Sequence, residues 1–208
     1  MKGTLIVLGI TALAFGGAAT LGTMAHARWG ICPAWEGSWG GGSGVVALDE
    51  VPDVVGRYLA AYGEPDLVVG EIMKFSNHFY VEVREKSTGR GAIELLVLRD
   101  GLVRPEPGPN MMWNAKYGHR GMMGFRRDGS GAMLLTPAAA LSVAQAYLDR
   151  SSPGLAVGDE AEPFYGYYTI HTLRNGEIVG MLSVHGSTGE VWVHTWHGSF
   201  LGMMSLTS

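Results

Sequence analysis

The stretch that decides the fold is residues 164–196, with the sequence FYGYYTIHTLRNGEIVGMLSVHGSTGEVWVHTW. Two turn signals, Asn175-Gly176 and Thr188-Gly189, divide it into three segments rich in aromatic and β-branched side chains. Asn-Gly between two such segments is typical of a tight β-hairpin, because both residues tolerate the positive φ that the turn requires. The stretch therefore predicts three consecutive antiparallel strands, at residues 164–172, 178–184 and 191–196.

A helix is predicted directly before these strands. Thr136 is a residue type that caps helix N-termini, and Pro137 follows at the first helical position, where its missing N–H costs nothing. Leu141, Ala144 and Leu148 then recur at the spacing of a buried helix face. This half of the chain therefore predicts one helix followed by a β-meander.

The same order of elements occurs earlier in the chain. Asp49 can cap a helix that carries Val55, Tyr58 and Leu59 on one side, and Gly63 stops it. Three strand-like segments follow, at residues 67–73, 79–83 and 92–98. An internal repeat of this kind indicates that one small unit was duplicated. We therefore predict an α+β fold of two repeated units, each with one helix packed on a small antiparallel β-meander.

The second unit resembles the PepSY family of peptidase-propeptide-like domains. Members of that family combine an alanine-rich helix, an aromatic strand of the form Tyr-x-Val, and a Thr-Gly-x-Val turn before the last strand. The match is carried here by residues 137–148, Tyr168-Thr169-Ile170 and Thr188-Gly189-Glu190-Val191, and less closely in the first unit by residues 80–83 and 100–103. The resemblance, which covers most of residues 48–105 and 135–197, implies a non-catalytic binding, inhibitory or regulatory module outside the cytoplasm.

The chain divides into five predicted segments. They are a signal peptide or N-terminal transmembrane anchor at residues 1–27, a Gly/Trp-rich tether at 28–47, a first PepSY-like unit at 48–108, a Met/His/Gly-rich linker at 109–134, and a second PepSY-like unit with a Met/His tail at 135–208. The first segment sets the compartment, whereas the linker and the tail carry the candidate metal ligands.

Two alternatives remain open for the N-terminal segment. Residues 4–24 carry no charge, and a run near that length can cross a bilayer as a helix. The run is followed by Ala25-His26-Ala27, an Ala-x-Ala site of the kind that signal peptidase cleaves. Both alternatives place the body of the protein on the periplasmic or extracellular side, either anchored in the membrane or secreted.

Methionine and histidine cluster in the linker and the tail. The candidate metal ligands are Met111, Met112, His119, Met122, Met123, His194 and His197. Thioethers combined with imidazoles are the ligands that select Cu(I), so these residues predict a copper site. The alternative is that the methionines fill gaps in the core or contact a partner. Residues three apart on a strand point to opposite faces, so His194 and His197 can bind one ion only if the strand has ended by Trp196.

Other function classes lack support in the sequence. A net charge of −4 gives no electrostatic reason to expect nucleic-acid binding. There is no His-Glu-x-x-His helix, nucleophile elbow, phosphate loop or dinucleotide motif, so no catalytic residue is predicted. The leading prediction is a non-catalytic accessory subunit that contacts a protein partner. The alternative is a periplasmic copper-binding protein that uses the Met/His-rich linker.

Overall fold

The computed structural model describes residues 44–119 and 131–206. Within these ranges, ten strands form two antiparallel sheets. The first sheet contains β1 (Leu67–Phe75), β2 (His78–Glu85), β3 (Gly91–Leu98), β4 (Val103–Pro105) and β10 (Phe200–Ser205), in the order β10-β1-β2-β3-β4. The second contains β5 (Ala156–Val157), β6 (Glu162–Pro163), β7 (Tyr167–Arg174), β8 (Glu177–His185) and β9 (Val191–Val193), in the order β5-β7-β8-β9, with β6 also paired to β7.

Three α-helices accompany the sheets in the described part of the chain. They are α1 (Val51–Tyr62), α2 (Pro109–Met112) and α3 (Pro137–Ser151). The N-terminus of α3 has the predicted cap, since the Thr136 side chain accepts a hydrogen bond from the Ala139 amide at 3.2 Å. At the other end, α1 stops at Gly63, whose φ of 83° is easily adopted without a Cβ atom.

The hairpin between β7 and β8 forms at the predicted Asn-Gly turn. Asn175 has a φ of 54° and Gly176 a φ of 83°, and the flanking pair Arg174 and Glu177 closes the ladder. Positive φ at both central residues matches the right-handed twist of the strands. The local sequence therefore sets the register of these two strands.

The two longer helices, α1 and α3, each cover one sheet. The buried face of α1, which includes Val55 and Tyr58, packs in one core cluster with the first sheet. The buried face of α3, which includes Ala144 and Leu148, packs with the second sheet. A smaller cluster joins the sheets to each other, because Met181 of β8 packs with Met73, Phe75 and Tyr80 of the first sheet.

The predicted fold class was wrong. The protein is mostly β, with two five-stranded sheets and, among the described residues, only three short helices, and it does not consist of two repeated helix-on-meander units. Strand β10 follows the strands of the second sheet along the chain but belongs to the first sheet, where it pairs with β1. This pairing places Met203 opposite Met73 and Ser205 opposite Glu71. It covers an edge that would otherwise expose unpaired backbone groups. The sequence analysis treated these residues as a Met/His tail and predicted no strand there.

Several predictions concern residues that lie outside the described ranges. They are the signal peptide or anchor at residues 1–27, the tether up to residue 43, and the candidate ligands Met122 and Met123. Within residues 44–119 and 131–206, no helix has the length and hydropathy needed to span a membrane.

Candidate metal centre between the two sheets

Three polar side chains from distant parts of the chain meet between the sheets. Glu106 directly follows β4 and is anchored by its amide, which donates to the Glu94 carbonyl at 2.9 Å. His194 and His197 lie in the loop after β9, which ends at Val193. The condition that allows both histidines to face one point is therefore met, because the strand ends before Trp196.

The ligand atoms of these residues converge in the interior. Glu106 Oε1 lies 3.5 Å from His194 Nδ1 and 3.0 Å from His197 Nε2. The three side chains are 0%, 0% and 2% exposed, and one ligand atom from each lies within 4.8 Å of the others. We name these three residues the Glu–His–His cluster.

The cluster contains buried polar atoms without hydrogen-bond partners. Glu106 Oε2, His194 Nδ1 and His197 Nε2 are all buried and make no hydrogen bond. Both rings are within ion-pair distance of Glu106 Oε1 but do not meet the geometry of a hydrogen bond to it. Buried polar atoms are nearly always satisfied, so two imidazole nitrogens and a carboxylate oxygen left without hydrogen bonds in one cluster indicate a ligand site.

The far nitrogen of each ring is held by a second residue. His197 Nδ1 lies 2.7 Å from Nε2 of His78, and His194 Nε2 lies 2.9 Å from Ser183 Oγ. The indole of Trp196 donates to Glu106 Oε1 at 2.9 Å. Contacts of this kind orient the imidazoles of metal sites and leave the near nitrogens free to bind.

Burial and charge set the protonation of the cluster. Burial would raise the pKa of the Glu106 carboxyl, but His194 and His197 together lower it to about 2, so it is ionised. Burial, reinforced by His197, lowers the pKa of His78 to about 4, so His78 is neutral and can accept a hydrogen from His197. Burial would also lower the pKa of His194, but the adjacent Glu106 carboxylate raises it.

A buried chain of hydroxyl groups continues from the cluster into the first sheet. Ser183 Oγ lies 3.1 Å from Thr169 Oγ1, which donates to Glu94 Oε1 at 2.7 Å. Two tyrosines, Tyr80 and Tyr167, also donate to the Glu94 carboxylate, at 2.9 Å and 2.7 Å. Burial and the nearby Glu106 charge raise the pKa of Glu94. The cluster is thus one end of a polar network that crosses from the second sheet to the first.

An acidic cleft of about 320 Å³ opens elsewhere between the sheets, away from the cluster. The acidic residues that line it are Glu71, Glu82, Asp159, Glu160 and Glu162. Arg84 makes ion pairs with Glu82 at 2.7 Å and with Glu162 at 2.9 Å. These contacts neutralise part of its charge, so the cleft makes a weaker candidate for a cation than the Glu–His–His cluster.

The structure divides the predicted copper ligands into two groups. His194 and His197 are brought together in the interior. Met111 and Met112 lie on α2 with exposures of 38% and 64%, and His119 is also exposed. The structure does not gather the described linker residues around the buried histidines, and Met122 and Met123 lie outside the described residues.

Sequence reasoning missed Glu106 and His78. The only local signal for Glu106 is its position between Pro105 and Pro107, which stiffen the chain around one acidic side chain. His78 reads as an ordinary residue at the start of a strand. Neither residue has a sequence neighbour that points to a metal.

Comparison with protein-family models, curated proteins and solved structures gives no match for this chain. The resemblance to PepSY domains therefore stays a prediction, and the functional argument depends on the geometry of the site.

Proposed function

We propose that the protein is a non-catalytic binding module of the extracytoplasmic space whose ligand is a divalent transition-metal ion. Glu106, His194 and His197 would hold the ion. The observation that supports this proposal is the convergence of two buried imidazole nitrogens, neither of which makes a hydrogen bond, on a buried carboxylate. Burying such groups without a partner costs free energy, which a bound ion would offset.

The spacing of the ligand atoms suits a metal ion. Ligand atoms about 2.0–2.1 Å from a zinc ion lie roughly 3.3 Å apart in a tetrahedral site. The contacts of Glu106 Oε1 with His197 Nε2 and His194 Nδ1, at 3.0 Å and 3.5 Å, bracket that value. The ligand atoms of the two imidazoles lie within 4.8 Å of each other, so modest side-chain movements would bring all three ligands to bonding distance.

The donor set favours a divalent ion over Cu(I). Imidazoles suit zinc, copper, nickel and iron, and a carboxylate favours the harder, divalent forms. Thioethers are the ligands that select Cu(I), whereas Met111 and Met112 are at the surface. We therefore propose Zn²⁺ or Cu²⁺ as the ion, in place of Cu(I) bound by the linker.

The enclosure of the cluster supports a binding role without catalysis. Three protein ligands leave a fourth tetrahedral position for water or another group, as in catalytic zinc sites. All three side chains are at most 2% exposed, so a substrate in solution would not reach that position. An ion at this position would join the segment after β4 to the loop between β9 and β10, and so would fasten the two sheets together.

Metal titration of the full-length protein tests the proposal. The metal-stripped protein is titrated with Zn²⁺, Cu²⁺ and Cu(I) against a competing chelator. We expect one tightly bound divalent ion, with affinity lost in Glu106→Gln and in His194→Gln. The matched control is His119→Gln with Met112→Leu, which changes the exposed linker and should bind as the wild type does. Equal divalent-ion affinity in Glu106→Gln and the wild type would exclude this site.

A second candidate function is that of an accessory subunit that contacts a protein partner. It is favoured by an exposed apolar surface on which α2 lies beside Trp192. The centroids of the Trp113 and Trp192 rings are 5.6 Å apart. The Trp192 side chain is 37% exposed, and Met112 on α2 is 64% exposed. Tryptophan and methionine are enriched at protein interfaces. Crosslinking in native membranes tests this candidate function. The comparison is a variant that combines Met112→Ser with Trp192→Ser. Recovery of the wild-type chain without a partner would count against an accessory role.

A further inference from the structure

The hydroxyl chain between Glu94 and His194 has a single direction. Each hydroxyl carries only one hydrogen to donate. Burial raises the pKa of Glu94 to about 7, so in mildly alkaline solution its carboxylate is ionised and only accepts. Thr169 donates its hydrogen to Glu94 Oε1 at 2.7 Å, so it can only accept at its 3.1 Å contact with Ser183. Ser183 must therefore donate its one hydrogen to Thr169. It can then only accept a hydrogen bond from His194 Nε2, which lies 2.9 Å away.

This direction fixes the hydrogen of the neutral His194 ring. We infer that Glu94, Thr169 and Ser183 are positioning residues that keep neutral His194 in its Nε2–H form, so that Nδ1 faces Glu106 with a free lone pair. The consequence for metal affinity rests on the function proposed above, whereas the position of the hydrogen is a property of the metal-free protein.

The contact on the other side of the ring agrees with this assignment. His194 Nδ1 is 3.5 Å from Glu106 Oε1 and makes no hydrogen bond, whereas His194 Nε2 has a 2.9 Å contact with Ser183. An Nδ1–H group would form a charge-assisted hydrogen bond with the carboxylate, and such bonds are short. A 3.5 Å contact without a hydrogen bond agrees with a bare Nδ1 beside the carboxylate.

The competing arrangement shows why the chain matters for a metal. If His194 carried its hydrogen on Nδ1, that hydrogen would be drawn to Glu106 and would block the ligand atom. Reversing the chain would turn the Thr169 hydrogen away from Glu94, which would lose one of its three hydroxyl donors. Because Glu94 is on β3 and His194 follows β9, the first sheet controls a ligand of the second.

Thr169→Val is the most direct test. Valine has nearly the shape of threonine but lacks the hydroxyl, so the variant disconnects Ser183 from Glu94 and leaves all three metal ligands in place. The freed Ser183 hydrogen can then donate to His194 Nε2, which moves the ring hydrogen to Nδ1. Thr172→Val is the matched control, because Thr172 is a second buried threonine on β7 that lies outside the chain.

Two measurements are made on the full-length protein. Nitrogen NMR of the metal-free protein, in mildly alkaline buffer that keeps the ring neutral, reports which His194 nitrogen carries the hydrogen. Titration with Zn²⁺ reports affinity. We expect Nε2–H in the wild type and Thr172→Val, a shift to Nδ1–H in Thr169→Val, and a Zn²⁺ affinity about 10- to 100-fold lower in that variant. Thr169→Ser, which restores the hydroxyl, should restore both.

The results separate this inference from the proposed function. If the neutral His194 ring of the wild type carries its hydrogen on Nδ1, the inference is overturned. This measurement uses the wild type alone and does not require any variant to fold. Retention of Nε2–H in Thr169→Val also overturns it. If the hydrogen moves as expected but neither protein binds Zn²⁺, the hydroxyl chain is supported and the proposed metal function fails.

Discussion

Glu106 Oε1 lies 3.0 Å from Nε2 of His197, with both side chains buried between the sheets. Burying such a pair costs more free energy than the mutual attraction returns unless further contacts satisfy both groups. Here the outer contacts are present, from Trp196 to the carboxylate and from His78 to the ring. His194 Nδ1 and His197 Nε2, which lie near this carboxylate, make no hydrogen bond, and these two unsatisfied nitrogens are the basis of the metal proposal.

Replacing His78 should weaken metal binding without removing a ligand. His78 holds His197 Nδ1 at 2.7 Å and so aims Nε2 at the cluster. We expect His78→Phe to lower Zn²⁺ affinity about 10- to 100-fold, as other losses of such supporting contacts do. Competition titration with a chelator measures the change, with His171→Phe as a control for loss of a histidine elsewhere. Unchanged affinity in His78→Phe would show that His197 needs no support.

Zn²⁺ should stabilise the folded chain. Only the folded protein brings Glu106, His194 and His197 together, so binding favours it over the unfolded state. At a free Zn²⁺ concentration of about 100 times Kd, the free energy of unfolding should rise by about 2.7 kcal/mol. Urea unfolding with and without the ion measures this rise. Mg²⁺, which prefers oxygen ligands, should have no effect, and an equal Zn²⁺ effect in Glu106→Gln would contradict the prediction.

The stability of the protein should fall in acid because of Glu85. Burial would raise the pKa of this carboxyl, but hydrogen bonds led by Lys116, Tyr117 and Thr88 lower it from 4.5 to about 2. A lowered carboxyl pKa means that the folded state holds fewer protons, so the stabilisation is present above pH 4.5 and is lost as the pH falls towards 2.

Comparison of Glu85→Gln with the wild type measures this contribution. The variant should lose about 1–3 kcal/mol of unfolding free energy at neutral pH, because the 42% exposed Lys116 partner is partly screened by water. The difference should shrink as the pH falls through that range. Denaturant unfolding at a series of pH values gives both quantities. Glu177→Gln, at an exposed position on β8, is the control and should show little change at any pH. A pH-independent difference would show that lost packing, not charge, explains the effect.

Two glycine-to-alanine changes should have opposite effects on stability. A Cβ atom on Gly91 would lie 2.7 Å from the Phe164 ring, so Gly91→Ala forces the ring or β3 to move and should cost about 1–3 kcal/mol. A Cβ atom on Gly56, inside α1, meets nothing within 4 Å. Gly56→Ala should therefore stabilise the protein by about 0.5–1 kcal/mol. Thermal unfolding measures both, and destabilisation by Gly56→Ala would contradict this account.

Local elements of this protein were predictable because their causes are local. The cap at Thr136 and the turn at Asn175-Gly176 depend on side chains and φ angles within a few residues, and both form where the sequence indicates. The sheet to which β10 belongs was not predictable in the same way. Its backbone pairs with β1, far away in sequence, and alternating side chains on a strand specify two faces without specifying a neighbour.

By itself, the sequence determined the positions of α1, α3 and the Asn175-Gly176 hairpin, and it indicated His194 and His197 as one half of the candidate site. Only the tertiary structure decided the other half. Glu106 and His78 reach the histidines through the pairing of β10 with β1 and the packing of the two sheets, which also leave Met111 and Met112 at the surface. The physical reason is that propensity and turn geometry act over a few residues, whereas a buried site is assembled by long-range strand pairing and packing.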